Sequence, residues 1–399
     1  MVTLTEHYDA YPYPERDPAD EARRLITGAP SHPLEMDDAL WGGRRDWTRP
    51  LRALVAGGGT GDGLIQLAQV MKSAGRAAEI TYLDLSPRAR SIAEARAAAR
   101  GLDTVTFRTG SLLDAPEFGP FDYIDCCGVL HHLDAPEDGF RALRAALAPG
   151  GGLGLMVYAP YGRSGVYPLQ EAFGTLLAEM PPETRLAAAR EIFARVPEGH
   201  PFRRNPHLVD HEASDAGFYD LLLHGRDRPY SVTELIDTFA ATGWRLARFA
   251  MPGLYDLSAL SETGAELPAN VRMALAEKLR GTIKTHIAYA LPDDAAPHVP
   301  SHREGDLVPH LRGVAADAAA RAVAAGRALP LRLGDERHDL ALPKAAAPLL
   351  SRIDGRRSVA EITAAAGLDP IAAGALWARI EGTLGPWGLV LYSSLLRRS

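Results

Sequence analysis

Between residues 51 and 159, the spacing of apolar residues alternates between the period of a β-strand and the period of an α-helix. Residues 51–57 form a short apolar run that ends in glycines, and residues 64–74 carry apolar side chains at helical spacing. Further strand-like runs occupy 79–85, 104–110, 121–130 and 153–159, and further helical segments occupy 87–100 and 136–148. Strands that alternate with helices of this length predict an α/β fold with a parallel, doubly wound sheet.

The alternation stops after residue 159 and resumes near residue 231. Residues 160–228 have helical character and predict a helical insertion. The segment Ser231-Val-Thr-Glu234 is a capping-box pattern, which predicts that a helix begins there. Two more strand-like runs, at 244–251 and 282–291, then complete a seven-stranded, Rossmann-like sheet.

Changes in composition divide the chain into four regions. Residues 1–50 predict an irregular N-terminal arm with short helices, packed over the next domain, and residues 51–293 hold the α/β domain with its insertion. Residues 294–328 predict a linker with an Ala-rich helix at 306–326, and residues 329–399 predict a small α+β unit. Disordered segments are poor in aromatic residues, which argues against disorder in the arm. The aromatic residues of the arm are Tyr8, Tyr11, Tyr13, Trp41 and Trp47.

The 399-residue chain has 43 Lys and Arg residues against 50 Asp and Glu residues, for a formal net charge of −7. A mildly acidic chain without a dense basic stripe disfavours a nucleic-acid partner. The two cysteines, Cys126 and Cys127, are adjacent, which excludes a disulfide framework and a four-cysteine zinc site. Since the chain also has no signal-peptide pattern and no apolar run of about 18 residues, we expect a cytoplasmic protein with no membrane partner.

A glycine-rich loop follows the first predicted strand. A phosphate-binding P-loop requires a lysine at its end, and the nearest lysine is Lys72. The dinucleotide fingerprint requires a glycine at its sixth place, where this chain has Asp62, so an NAD-dependent oxidoreductase is disfavoured. The spacing of Gly57, Gly59 and Gly61 is instead typical of S-adenosylmethionine sites.

Asp84 ends the second predicted strand, 27 residues after Gly57. A carboxylate at this place in an α/β sheet accepts hydrogen bonds from ribose hydroxyls. The alternative role of Asp84 is a negative charge near a helix N-terminus, where the helix dipole favours it.

Five segments together resemble the class I S-adenosylmethionine-dependent methyltransferases of the type 11 and 12 kind. They are LVAGGGTGDG (54–63), YLDLS (82–86), FRTGSLLD (107–114), FDYIDCCGVLHHL (121–133) and LAPGGGLGLMVY (147–158). The resemblance implies that Ala56, Gly57, Gly59 and Gly61 form a loop that passes the methionine part of the cofactor. It further implies that Asp84 binds the ribose and that Leu85 and Leu112 contact the adenine. Cys127 and Gly128 would then face the methionine end of the cofactor.

The chain departs from this family at two positions. The family usually has an acidic residue where this chain has Val55, and Asp62 is the candidate to supply the missing charge. The family often has an aspartate against the adenine amine where this chain has Ser111. A hydroxyl accepts a hydrogen bond more weakly than a carboxylate, so we expect a weaker cofactor affinity.

Methyl transfer to an oxygen or an ammonium nitrogen requires removal of a proton. The candidate catalytic residues are His131 and His132, which follow the fourth strand, and Tyr11 of the arm. Tyr158, at the end of the fifth strand, is a further candidate, as are Tyr8 and Tyr13. The alternatives are local packing for the histidines and a core position for Tyr158.

Residues 217–230 mix aromatic and basic side chains, which suits either an acceptor pocket or a packed helix.

His207 and His211 have the spacing of metal ligands on a helix. They lie in a segment rich in Pro and Arg, and no third ligand accompanies them. The sequence therefore predicts no metal site.

Residues 342–362 and 387–392 resemble small winged-helix units that bind peptides beside enzymes. This resemblance favours a peptide or protein acceptor over a small molecule, and a homodimer contact or a packing role is the alternative for the unit. The sequence thus predicts a methyltransferase that uses S-adenosylmethionine on an unidentified acceptor. The alternative is a cofactor-binding regulatory protein without catalysis.

Overall fold

The computed structural model describes residues 11–334 and 336–397, and its centre is a seven-stranded sheet. The strands are β1 Leu51–Ala56, β2 Ala78–Asp84, β3 Val105–Thr109, β4 Phe121–Cys127, β5 Leu147–Tyr158, β6 Trp244–Phe249 and β7 Thr285–Pro292. Their order across the sheet is β3-β2-β1-β4-β5-β7-β6. Strands β1 to β5 pair in parallel, while β7 runs antiparallel to β5 and β6. The predicted Rossmann-like α/β fold is confirmed.

Helices cover both faces of this sheet and extend into the insertion. Those of the α/β domain outside the insertion are α1 Pro33–Trp41, α2 Asp62–Ala74, α3 Pro87–Ala99, α4 Pro136–Ala145, α9 Val232–Ala241 and α10 Ala269–Arg280. The insertion holds α5 Val166–Leu176, α6 Pro182–Ala194, α7 Asp210–Ala213 and α8 Asp215–Leu223. Separate apolar cores lie on the two faces of the sheet and within the insertion.

Local sequence signals account for where several helices begin. The hydroxyl of Ser86 accepts a hydrogen bond from the backbone N–H of Ala89 at 3.1 Å and caps α3. Ser231 and Glu234 exchange the two reciprocal hydrogen bonds of a capping box at the start of α9. Both starts agree with the sequence pattern.

The C-terminal region contains two short strand pairs and four helices among its described residues. The strands are β8 Pro309–Leu311, β9 Leu329–Leu333, β10 Glu336–Leu340 and β11 Val390–Tyr392, and the helices are α11 Ala316–Ala324, α12 Ala347–Leu350, α13 Val359–Ala365 and α14 Pro370–Leu384. Strand β9 pairs with β10, and β8 pairs with β11 far along the chain. A linking helix over 306–326 was expected, but the helix begins only at Ala316. Pro309 has no N–H for a helix, and Gly313 has a φ of +73°, so the chain cannot be helical before that point.

Helix α1 connects the sheet to the C-terminal region through three buried acidic residues. The carboxylate of Asp37 accepts hydrogen bonds from the indole of Trp47 at 2.8 Å and the hydroxyl of Ser393 at 2.6 Å. Asp38 pairs with Arg248 of β6 and accepts the backbone N–H of Tyr392 at 2.6 Å. The third acid, Glu35, pairs with Arg312 at 2.8 Å. Burial raises the pKa of Asp37 to about 6, so these contacts only partly offset its loss of hydration.

We expect Asp38→Asn to destabilise the protein strongly, because it breaks a buried ion pair and leaves the charge of Arg248 without a partner. Loss of one partner of such a pair costs about 3–5 kcal/mol. The matched control is Asp306→Asn, which breaks the exposed pair between Asp306 and Arg44 and costs at most about 1 kcal/mol. Denaturant midpoints of the two variants check this, and equal shifts would contradict the role given to Asp38.

Candidate cofactor and acceptor site

The crevice of this sheet lies where β1 and β4 are neighbours. Strand order along the chain reverses at this pair, and ligands of open α/β sheets bind outside the carboxyl ends of the strands at such a switch point. Because β1 to β4 run parallel, the residues that follow them meet at one edge. The structure therefore brings together the four segments in which the cofactor residues were predicted.

The loop after β1 depends on glycine for its path. Gly57, Gly59 and Gly61 have φ values of +68°, +52° and +101°, a region that favours glycine. A Cβ at Gly57 would lie 2.4 Å from a methyl group of Val129. Ala56, the last residue of β1, is buried beneath the loop.

Gly58 is a loop residue that sequence reasoning missed. A Cβ at this position would lie 2.4 Å from the ring of Tyr82, whose hydroxyl donates a hydrogen bond to the carbonyl of Gly59 at 2.6 Å. The run of three glycines was the available signal, but it does not reveal which side chain lies below the loop.

Asp84 lies at the end of β2 and contacts the glycine loop directly. One carboxylate oxygen accepts the backbone N–H of Gly59 at 2.7 Å, and the other accepts the N–H of Ser86 at 2.8 Å. A carboxylate has about four acceptor positions, so the same two oxygens can bind backbone N–H groups and ribose hydroxyls. Asp84 thus positions the loop and remains suited to the predicted cofactor role.

The predicted adenine residues differ in exposure. Leu85 is 48% exposed, whereas Leu112 is 6% exposed and packs in the core. The neighbouring Leu113 is 45% exposed, so it is better suited than Leu112 to contact an adenine. Ser111 uses its hydroxyl to accept the N–H of Leu113 at 3.1 Å in a capping box with Asp114. Two adjacent leucines give no sequence signal of which one faces the core.

The end of β4 presents Cys127 and Gly128 at the switch point. Cys127 is exposed, while Cys126 is buried in the core on the opposite face of the strand, as alternation along a strand requires. Gly128 has a φ of +79° and donates its N–H to the carbonyl of Met156 at 3.0 Å. Both residues lie at the edge where the methionine end of the cofactor was predicted.

Asp62 has two arginine partners. Its carboxylate pairs with Arg16 of the arm at 2.6 Å and with Arg96 of α3 at 2.7 Å. Burial opposes ionisation of Asp62, but the two arginines outweigh it and lower its pKa. Asp62 therefore holds the arm against the domain.

The arm follows the edge of the crevice. The hydroxyl of Thr60 donates a hydrogen bond to the carbonyl of Pro14 at 2.8 Å. Further along, the ring of Tyr11 stacks on Tyr219 of α8 with 4.7 Å between centroids. The arm thus bridges the glycine loop and the insertion. Tyr8 lies outside the described residues.

A buried polar cluster, formed by His131, His132, Tyr158, Asp220 and His224, adjoins the end of β4. The ring of His131 lies 4.0 Å from that of His132 and 4.1 Å from that of Tyr158, and His132 stacks on His224 at 3.8 Å. The hydroxyl of Tyr158 donates to Asp220 at 3.3 Å. The two predicted catalytic histidines therefore share one cluster with the insertion helix α8.

Burial determines the charge states in this cluster. It lowers the pKa of His131 and of His132, so both rings are neutral at pH 7. It raises the pKa of Asp220 to about 7. His131 is 1% exposed, and neither of its ring nitrogens has a hydrogen-bond partner among residues 11–334 and 336–397. By contrast, Nδ1 of His132 lies 2.8 Å from the carbonyl of Arg226.

The set formed by His132, Asp220 and His224 does not suit a metal ion. Ligand atoms of His132, Asp220 and His224 lie within 4.8 Å of one another. However, the two imidazoles are stacked at 26° between their planes, so their in-plane lone pairs do not converge on one ion. Nδ1 of His224 also accepts the N–H of Arg226 at 3.1 Å, which leaves the proton on Nε2 of the neutral ring. Elsewhere, His207 lies beside Gly334, while His211 packs against Phe193 and Phe202.

None of the described helices has the length and apolar character needed to cross a membrane.

Comparisons with known proteins agree with this geometry. Residues 54–153 match the family described as Methyltransferase domain. An uncharacterized protein of Synechococcus sp. is 35% identical over 234 residues, which cover 57% of this chain and 55% of that protein. The match thus spans little more than half the length of this curated relative.

Solved structures of PKMT2 from Rickettsia typhi have a similar fold. One has a TM-score of 0.64 at 12% identity, and another, in complex with AdoHcy, has a TM-score of 0.63 at 13% identity. Each match covers 91% of this chain and 75% of the other chain. The chain thus shares the fold of these structures, residues 54–153 match a methyltransferase domain, and the cofactor of such a domain is S-adenosylmethionine.

Proposed function

We propose that the protein transfers the methyl group of S-adenosylmethionine to an acceptor that binds between the crevice and the helical insertion. The observation that carries this proposal is the convergence of the glycine loop, Asp84, and Cys127 with Gly128 at one switch point. The cofactor supplies an activated methyl group on a sulfonium. The protein must then bind the cofactor and the acceptor, orient them for transfer and exclude water from the site.

We assign the ribose to Asp84 and the adenine to Leu85 with Leu113, beside Ser111. The glycine loop would lie against the methionine part, because no side chain separates its backbone from the crevice at Gly57 and Gly59. The edge formed by Cys127 and Gly128 would receive the sulfonium end. These assignments fit the exposures and the hydrogen bonds of the site.

His131 is the candidate general base for the acceptor. Its ring is neutral, and a ring nitrogen without a partner is able to accept a proton. Tyr158 and Asp220 form the adjacent wall of the acceptor pocket. His132 is suited to orient this cluster, because Arg226 and His224 hold its ring in place. Tyr11 and Tyr13 would close the pocket from the side of the arm.

The C-terminal region supports two classes of acceptor. A winged-helix-like role favours a peptide or protein that docks there, and a packing or dimer role favours a small molecule. The free cysteines fit a reducing, cytoplasmic setting.

Calorimetric titration of S-adenosylmethionine and S-adenosylhomocysteine tests the cofactor site. We expect Asp84→Ala to weaken both ligands by at least tenfold, about 1.4 kcal/mol, because it removes the ribose acceptor and a bond to the loop. Asp103→Ala, an exposed aspartate outside the crevice, is the control and should bind as the wild type does. Failure of the wild type to bind either ligand would refute the proposal.

Transfer of a labelled methyl group into a cell lysate tests the base. We expect His131→Asn to lower the rate by about 10²-fold or more while cofactor affinity stays the same. His298→Asn, at an exposed histidine in the linker, is the control. The lowered pKa of His131 keeps it a base at pH 6, so at saturating S-adenosylmethionine the wild-type rate should persist there and decline only at lower pH. Cofactor binding without transfer to any acceptor would instead favour a regulatory protein.

Amide hydrogen exchange of the arm segment 11–17 tests whether the arm closes the site. We expect Arg16→Gln to speed this exchange several-fold, because Arg16 binds both oxygens of Asp62. The matched control is Arg23→Gln, which removes an exposed pair of 3.5 Å with Asp20. Equal exchange rates in the two variants would show that Arg16 does not hold the arm.

A further inference from the structure

Asp125 is a buried acidic residue on β4 that has no role in the function proposed above. It is 1% exposed, and its Oδ2 has no hydrogen-bond partner among the described residues. Ser31 forms a hydrogen bond with the carboxyl group. Asp125 lies two residues before Cys127, on the same face of the strand that reaches the switch point.

The strand register places Asp125 beside Val55. The two residues are direct partners in the parallel pairing of β1 with β4, so their Cα atoms are about 4.8 Å apart and their side chains share one face. Val55 is the position at which the sequence lacks an expected acidic residue. A carboxylate is therefore present beside this position, on β4 instead of β1.

Several buried carboxylates of this protein have an arginine partner, whereas Asp125 has none among the described residues. Arg248 pairs with Asp38, Arg96 pairs with Asp62 and Arg163 pairs with Asp227, while burial and the hydrogen bond of Ser31 shift the pKa of Asp125. A buried carboxylate without a cation is costly, and its pKa rises until it takes up a proton. Burial accordingly raises the pKa of Asp125 to about 7.

The backbone of Gly63 packs closely against this carboxyl group. A Cβ at Gly63 would lie 3.3 Å from Oδ2 of Asp125 and 2.6 Å from the hydroxyl of Ser31, so only glycine fits here. Gly63 lies in the first turn of α2, immediately after the glycine loop. The unpartnered oxygen of Asp125 and the hydroxyl of Ser31 therefore lie together beneath the start of α2, next to the loop.

We propose that Asp125, aided by Ser31, receives the ammonium group of the methionine part of S-adenosylmethionine, directly or through one bridging water. This inference rests on the proposed function of the domain. It makes Asp125 a positioning residue, which selects ligands that carry an amino-acid end.

The ammonium would stabilise the ionised form of Asp125, so binding should depend on pH. The titratable groups that Asp125 influences are hydroxyls and thiols, which are uncharged between pH 5 and 7: Tyr123, Tyr289 and Cys127 on its own face, and the adjacent Cys126. Below pH 7 the carboxyl group must lose a proton before it can pair. The affinity for the ammonium ligand should therefore fall by up to about tenfold per pH unit as the pH decreases below 7.

The test compares two ligands on Asp125→Asn. S-adenosylhomocysteine carries the ammonium group, and 5′-methylthioadenosine, which lacks the amino-acid end, is measured by competition. At pH 7.5 we expect the variant to bind S-adenosylhomocysteine at least tenfold more weakly and methylthioadenosine within twofold of the wild type. The decline of S-adenosylhomocysteine affinity below pH 7 should be absent in the variant.

Asp84→Ala is the matched control, since the ribose is common to both ligands. It should weaken both ligands together and keep the pH dependence of the wild type. If Asp125→Asn weakens both ligands equally, or neither, Asp125 has only a structural role and the inference fails while the proposed function stands. Failure of the wild type to bind S-adenosylhomocysteine refutes both.

Ser31→Ala is a second variant, which covers the case that Asp125→Asn does not fold. It removes a hydrogen bond to the carboxyl group and leaves the acid in place. We expect it to weaken S-adenosylhomocysteine about threefold and to leave methylthioadenosine unchanged. Equal affinities of Ser31→Ala and the wild type for S-adenosylhomocysteine would count against the inference.

Discussion

The parallel pairing of β1 with β4 is the constraint on which the rest of the site depends. It makes the chain reverse its order across the sheet, and so it leaves a crevice at one edge rather than a continuous row of loops. The glycine loop must then turn within a few residues, beneath Val129 on one side and above Tyr82 on the other. Any side chain at Gly57 or Gly58 would occupy space that these residues already fill.

Arginines pair with several of the acidic groups that the fold removes from water, and these ion pairs also join separate parts of the chain. Arg96 and Arg16 draw the arm to Asp62, and Arg163 holds Asp227 of the insertion. Asp125 has no arginine partner among the described residues, although it is the buried acid closest in register to the crevice. A cationic ligand would take the place of that partner.

Much of the fold and part of the site could be predicted from the sequence. Alternating strand and helix periods and the capping residues Ser86 and Ser231 are local signals, and the seven-stranded sheet and its cofactor agree with them. Strand β8 was missed because it pairs with β11 some eighty residues later, which no local pattern reveals. The sequence placed Asp125 in a strand, but only the register of β4 against β1 shows what lies beside it. The exposure of Leu113 and the contact of Gly58 with Tyr82 were not predicted, because contact with a particular neighbour has no periodicity.

The acidic residues of α1 have a consequence for how the chain can be divided. Asp37 and Asp38 find their partners at Ser393 and Tyr392, almost at the end of the described chain, although α1 precedes the first strand. A fragment cut before the C-terminal region would keep both carboxylates and lose those hydrogen bonds, with apolar surface of α1 newly open to water. Truncated variants and chimeras should therefore keep the arm, the sheet and the last strand together.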